Sequence, residues 1–190
     1  MVTFEIKKRK NQSRYIMRYL LFLLPLLMFS CEDVKVEFVE VSAANLCAIE
    51  IPDYMEPIDL GSPGAVLQYG NELKEHYVTV LVETHDQLAA NDLHMNLKQY
   101  SDYYLNFLKE GLVNPTVEAL HEGIKDVNGL KAIGYKVNGM VVGDELDLAS
   151  YIMFYQSSKG FYYVSTWTLT SREAKFAEYM NKIVYSLIEL

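Results

Sequence analysis

Two consecutive stretches near the end of the chain constrain its fold more than any other feature. Leu146–Gln156 and Phe161–Leu169 are strand-like runs joined by Ser157-Ser158-Lys159-Gly160. In the second, Phe161, Tyr163, Trp167 and Leu169 point one way and Tyr162 and Val164 the other. A strand with one wet face alternates apolar and polar residues, so a strand apolar on both sides belongs to a sheet covered on both sides.

The covering elements are also readable. Apolar residues at Leu97, Tyr100, Tyr104, Phe107 or Leu108, and Leu112 recur with helical spacing and predict a helix over Asn96–Leu112, its end bracketed by Gly111 and Pro115. A second amphipathic helix closes the chain, with Phe176, Met180, Ile183, Val184 and Leu187 on one face. Thr170-Ser-Arg-Glu173 has the form of a capping box at its start. Upstream, Leu46–Ile51 reads as a strand ending at Pro52, with a loop-rich stretch after it over 53–64. Ala65–Tyr69 and His76–Glu83 form a hairpin through Gly70–Glu75, with Val78, Val80 and Val82 on one face of the second strand. Thr116–Gly123 is extended, and Lys131–Val142 is expected to be a hairpin turning near Asn138-Gly139. Hairpins with helices between and after them predict an α+β domain, an antiparallel sheet covered by helices.

The 190 residues divide sharply in charge. Six of the 17 basic residues, Lys7, Lys8, Arg9, Lys10, Arg14 and Arg18, precede position 31 with only Glu5 as an acid among them. Residues 31–190 carry a net charge of −13. An acidic body repels phosphate backbones, so no nucleic-acid partner is expected.

Behind the basic cluster, Tyr19–Phe29 is an apolar run of 11 residues interrupted by Pro25. It is well short of the ~20 residues of a membrane-spanning helix and has the layout of a secretory signal peptide. Leu27-Met-Phe-Ser-Cys31 resembles the lipobox of bacterial lipoproteins in its relaxed, Bacteroidetes-like form, with Met28 and Phe29 departing from the strict pattern. That resemblance implies residues 1–30 as a cleaved signal and diacylglycerol on the Cys31 thiol. The new amino terminus is then often acylated, a palmitate-type modification. The protein is then anchored in the envelope, on the outer membrane. Glu32-Asp33 resembles the tag that sends some such lipoproteins to the cell surface. Met17–Cys31 is a complete signal of this kind on its own, so translation is expected to begin at Met17. Residues 31–45 read as a tether with at most one short strand, and 46–190 as the domain. Cys47 is then the one remaining thiol, and it reads as a small buried hydrophobe.

The strand ending Ile49-Glu-Ile-Pro52, the hairpin at Gly70-Asn71, Val127-Asn-Gly-Leu-Lys-Ala132, Gly160-Phe-Tyr-Tyr-Val-Ser-Thr-Trp167 and the closing Ile183–Leu187 helix together resemble the PsbP-like superfamily. Its members include a photosystem extrinsic subunit, bacterial envelope lipoproteins and a nuclear-transport cofactor. The resemblance implies an α/β/α sandwich over about 46–190 and an assembly or binding role. It carries over no functional residue.

Catalytic and cofactor signatures are missing: no nucleophile elbow, no Gly-rich phosphate loop, no dinucleotide fingerprint. The expectation is no catalytic residue, no cofactor and no metal. His85, Asp86 and His94 are the best metal candidates and read as ordinary loop polarity; His76 and His121 read as exposed. Asp144, Glu145 and Asp147 read as a turn before a strand. Of the 15 tyrosines, Tyr100, Tyr103 and Tyr104 cluster on the first helix and Tyr151, Tyr155, Tyr162 and Tyr163 on strands. Most are expected in the core with hydroxyls at its rim, an exposed subset serving a partner or stacking against a ligand. Two functions remain: a non-catalytic envelope protein binding a protein or small ligand, or a hydrolase whose Asp, Glu and His converge in a cleft.

Overall fold

A computed structural model describes residues 35–43 and 45–190. The expected signal over residues 1–30 with its Met17 start, the expected lipidation position Cys31 and the Glu32-Asp33 pair lie outside the described residues. Among those described, no helix is long and apolar enough to cross a membrane.

Eleven strands and three α-helices alternate along the described chain. The first seven are β1 (Phe38–Ala43), β2 (Cys47–Pro52), β3 (Glu56–Pro57), β4 (Ala65–Asn71), β5 (His76–Thr84), α1 (His85–Ala89) and α2 (Leu97–Glu110). The remainder are β6 (Leu112–Ala119), β7 (Lys125–Val127), β8 (Leu130–Val141), β9 (Asp147–Gln156), β10 (Gly160–Leu169), α3 (Glu173–Tyr185) and β11 (Ile188–Glu189). The main sheet runs β3-β4-β5-β10-β9-β8-β6, with β7 also on β8; a small sheet runs β1-β2-β11. Every pairing is antiparallel. The stretch 31–45 therefore contributes a strand, β1, paired along its whole length to β2.

The doubly apolar β9 and β10 sit at the middle of the main sheet, as their pattern requires. On one face Tyr155, Tyr162, Val164, Val78 and Val80 pack with Cys47, Ile49 and Ile51 of the small sheet and with Ile183, Val184 and Leu187. On the other, Phe154, Phe161, Ile133 and Ile152 pack beneath Leu97, Tyr100 and Leu105 of α2. The α+β class and the covered sheet are thus as the sequence predicts.

Three local expectations are corrected. Lys131–Val142 is not a hairpin: β8 continues through Asn138-Gly139, and the two-residue turn is the earlier Asn128-Gly129, joining Val127 to Leu130. Both turn residues have positive φ, 53° and 81°, the backbone a tight hairpin of this hand requires. Asn128 further donates from Nδ2 to the carbonyls of Tyr185 and Leu187, tying the turn to the end of α3. Gly139 answers a different need: a Cβ there would lie 3.1 Å from the Leu112 Cβ of β6. Second, Thr170 does not cap α3. Thr170–Arg172 forms a 3₁₀ turn, and Glu173 is held instead by Lys136 at 2.6 Å and the Tyr151 hydroxyl. The capping boxes fall at Thr84/Gln87 and Asn96/Gln99, opening α1 and α2. Third, Pro115 lies within β6, at a register shift on the sheet edge, where its missing N–H interrupts the ladder least.

Gly160 marks the closest strand approach. A Cβ there would stand 2.2 Å from the Glu83 carbonyl oxygen and 2.7 Å from the Thr84 Cα. Backbone cannot yield as a side chain does, so Gly160→Ala is expected to cost about 1–3 kcal/mol. That lowers Tm by roughly 2–4 °C per kcal/mol in a chain of this size. A thermal melt indistinguishable from the parent contradicts this packing.

Candidate functional site

On the face that carries α2, the helix covers only part of the sheet. Beyond its C-terminal half lies a groove of about 280 Å³. One wall is Tyr104, Phe107 and Leu108; the floor comes from β5, β9 and β10. Register fixes that floor. Ser165 of β10 pairs with Thr79 of β5, Trp167 pairs with Tyr77 and Ser150, and Tyr163 pairs with Leu81. Thr79 and Ser165 thus lie between two aromatic groups, and Ser150 adds a third hydroxyl on β9 level with Trp167. At one end Tyr163 stacks on Tyr104, centroids 5.3 Å apart at 29°; at the other Tyr77 stacks on Trp167, 5.6 Å apart at 26°. Phe107 is 74% exposed at the rim, a large apolar ring left in solvent. None of the lining side chains is charged.

A carboxylate anchors the helix wall. Glu83 Oε2 accepts from the Tyr100 hydroxyl at 2.7 Å and the Tyr104 hydroxyl at 2.5 Å. Burial raises both phenols above their ordinary range, reinforced at Tyr100 by the neighbouring Tyr104 and at both by the hydrogen bond to Glu83 and its charge. They stay protonated donors, so the α2 wall is held from below.

Of the clustered tyrosines, Tyr100, Tyr155 and Tyr162 are buried, Tyr104, Tyr151 and Tyr163 are half-buried, and Tyr103 is exposed, so fewer are fully in the core than the sequence suggests. Their hydroxyls reach polar partners at the core rim, Tyr155 on the Val184 carbonyl and Tyr162 on Glu189. The groove itself draws on residues that sequence reasoning passes over. Thr79, Ser150, Ser165 and Trp167 stand out in the sequence only as members of strands. The signal is a small hydroxyl residue between larger side chains on one strand face: Thr79 between Tyr77 and Leu81, Ser165 between Tyr163 and Trp167.

The histidines do not converge. His76, expected at the surface, is fully buried. Its neighbours define its tautomer. The Thr166 hydroxyl donates to the Tyr77 carbonyl at 2.8 Å, so it accepts from His76 Nε2–H at 3.1 Å. Nδ1 then accepts from the Tyr54 hydroxyl at 2.8 Å. The chain of protons ends on a backbone carbonyl, and Thr166 is turned away from acting as a nucleophile. The imidazole stacks on Phe176, and burial lowers its pKa to about 3. His121 is likewise buried rather than exposed, beside the Tyr185 ring. His85 opens α1 and approaches the Ser157 carbonyl at 3.4 Å and the edge of Phe161. Among the described residues no ion pair joins a histidine to a carboxylate, and no group of three His, Cys, Asp or Glu could hold a metal ion. Asp144 and Glu145 lie in the turn between β8 and β9, and Asp147 opens β9. Cys47 is fully buried and its thiol is pushed up to about 11 by desolvation, far from a reactive thiolate.

No protein-family model and no curated protein matches the sequence. Solved structures do. A cyanobacterial PsbP from Synechocystis superposes with a TM-score of 0.54 at 12% identity, covering 86% of this chain and 99% of that one. The fold is PsbP-like. The Saccharomyces cerevisiae Ran-binding protein Mog1p gives a TM-score of 0.55 at 14% identity, covering 81% and 96%. LpqN, involved in cell envelope biogenesis of Mycobacterium tuberculosis, gives 0.49 at 11% identity, covering 83% and 92%. Identities this low speak to the fold alone.

Proposed function

We propose that this chain is a lipid-anchored protein of the bacterial cell envelope that works by binding, with the groove beside α2 as its binding site. The carrying observation is the groove itself, which is uncharged and walled by stacked aromatic rings. Hydrolysis by Asp, Glu and His requires those groups to meet around a substrate, in hydrogen-bond reach of one another. Here His76 spends both ring nitrogens on neutral hydroxyls. A fold shared with a Ran-binding protein is compatible with a binding role.

The anchor rests on the sequence: the basic cluster, the 11-residue apolar run and Ser30-Cys31. Each buried methylene of an attached lipid contributes ~0.8 kcal/mol, and two or more chains hold a folded domain at a membrane. The partner is a protein or a small ligand, and no nucleic acid. Intact-mass measurement on protein from native bacterial membranes tests the anchor. The expected product is a chain cut before Cys31 and carrying diacylglycerol, and Cys31→Ser is expected to abolish both the added mass and membrane retention. An unmodified wild-type chain in the soluble fraction refutes it.

A further inference from the structure

The groove's chemistry narrows its ligand. Charged residues make up 22% of the sequence, yet none lines this cavity, so an ionic ligand finds no counter-charge there. The volume, about 280 Å³, sits at the small end of pockets that hold compact organic ligands, about 300–1,000 Å³. A purely apolar occupant such as an acyl chain covers the Thr79, Ser150 and Ser165 hydroxyls and offers them no hydrogen bond, leaving Ser165 only its neighbour Tyr163 as a partner. That costs about 1–3 kcal/mol for each group left unsatisfied. Thr79 has only partial compensation within the protein, a long 3.4 Å hydrogen bond to the Leu67 carbonyl. A flat aromatic ligand suits the walls but leaves that floor unused. A pyranose ring meets both demands: its C–H faces lie against aromatic rings, and its equatorial hydroxyls project from the edge as donors and acceptors.

We infer that the groove binds an uncharged saccharide of one or two rings. Its apolar face lies on the Trp167 and Tyr163 side chains, and its hydroxyls meet Thr79, Ser150 and Ser165. The inference rests on reading the groove as a binding site, and it adds the ligand class. The Tyr77–Trp167 stack gives the sugar a platform already braced before binding. The two Glu83 hydrogen bonds hold the opposite wall rigid, so little ordering is left for the ligand to impose.

The protein supplies its own reporter, because Trp167 is its single tryptophan. The experiment titrates the full chain with maltose, cellobiose and N,N′-diacetylchitobiose while Trp emission is followed. Parallel titrations use glucuronate and 1-octanol. At least one neutral disaccharide is expected to give a saturable change in the millimolar range, with no response to glucuronate. Ser165→Ala is expected to weaken it about tenfold, the equivalent of one hydrogen bond. Ser150→Ala, at a half-buried position that the fold tolerates more easily, is expected to weaken it in the same direction. A saturable response to 1-octanol with none to the sugars overturns the saccharide assignment and leaves the groove a binding site for apolar ligands. Silence from every probe overturns both. Sugar binding unchanged in both serine variants overturns the assignment of the floor.

Discussion

Replacing Phe161 by Ala is expected to lower stability by about 3–5 kcal/mol, as for other buried aromatic truncations. Phe161 is fully buried and joins three elements. Tyr100 of α2 stacks on it at 4.4 Å and 12°, His85 of α1 meets its edge at 5.3 Å, and its cross-strand partner on β5 is Glu83. Loss of the ring leaves a cavity under α2 and frees Tyr100 from its stack. The helix is held by that contact and by the Glu83 hydrogen bonds, so its docking weakens with the core. Chemical denaturation of the protein measures the effect, and a loss below about 1 kcal/mol shows that the face under α2 is not the packed core described. Phe107→Ala is the internal contrast: it removes an equally large ring from α2, but one left in solvent, and is expected to change stability by no more than about 0.5 kcal/mol.

Acid is expected to destabilise the fold through His76. Its folded pKa, about 3, lies below the ordinary histidine value of 6.5, because burial penalises the imidazolium. Between these values the unfolded chain binds a proton that the folded chain does not. Stability therefore falls as pH drops below about 6.5, by up to about 1.4 kcal/mol per pH unit, and levels off near pH 3. The accumulated loss at pH 4 is about 3 kcal/mol from this one residue. Above pH 6.5 both states are neutral there and the contribution is flat. The test compares unfolding free energy against pH for the parent and for His76→Gln, which has no titrating group at that position. The variant is expected to lose about one proton from the pH slope between pH 4 and 6, whatever its stability at neutral pH. Equal slopes in the two proteins contradict the buried neutral imidazole.

His76 also shows where sequence reading stops. It opens a strand and looks like an ordinary surface histidine, because its partners Tyr54, Thr166 and Phe176 come from the β2–β3 connection, β10 and α3. The same limit applies to the groove. Tyr104 and Tyr163 are visible in the sequence as members of an aromatic population, but the stack they form and the hydroxyl floor depend on strand register across β5, β10 and β9. Two Asn-Gly pairs carry identical local turn chemistry. Asn128-Gly129 becomes the turn, held by hydrogen bonds to Tyr185 and Leu187, while Asn138-Gly139 stays in an extended strand beneath Leu112. Likewise the Thr170–Glu173 box yields to a tertiary ion pair, since Lys136 takes Glu173 from across the sheet.

The double apolar pattern of β9 and β10 stands on firmer ground. Alternation along a strand records which faces avoid water, and two apolar faces admit only a sheet covered twice. Helical spacing in α2 and α3 is equally local, so the covering layers are readable from residue order. Fold class thus follows from the sequence by itself, because burial periodicity is written residue by residue. Tertiary structure alone decides which of two equal turns closes, which histidine is buried and where three hydroxyls meet two aromatic stacks. Those outcomes depend on partners tens of residues away, whose contact energies outweigh the fraction of a kilocalorie by which local propensities differ.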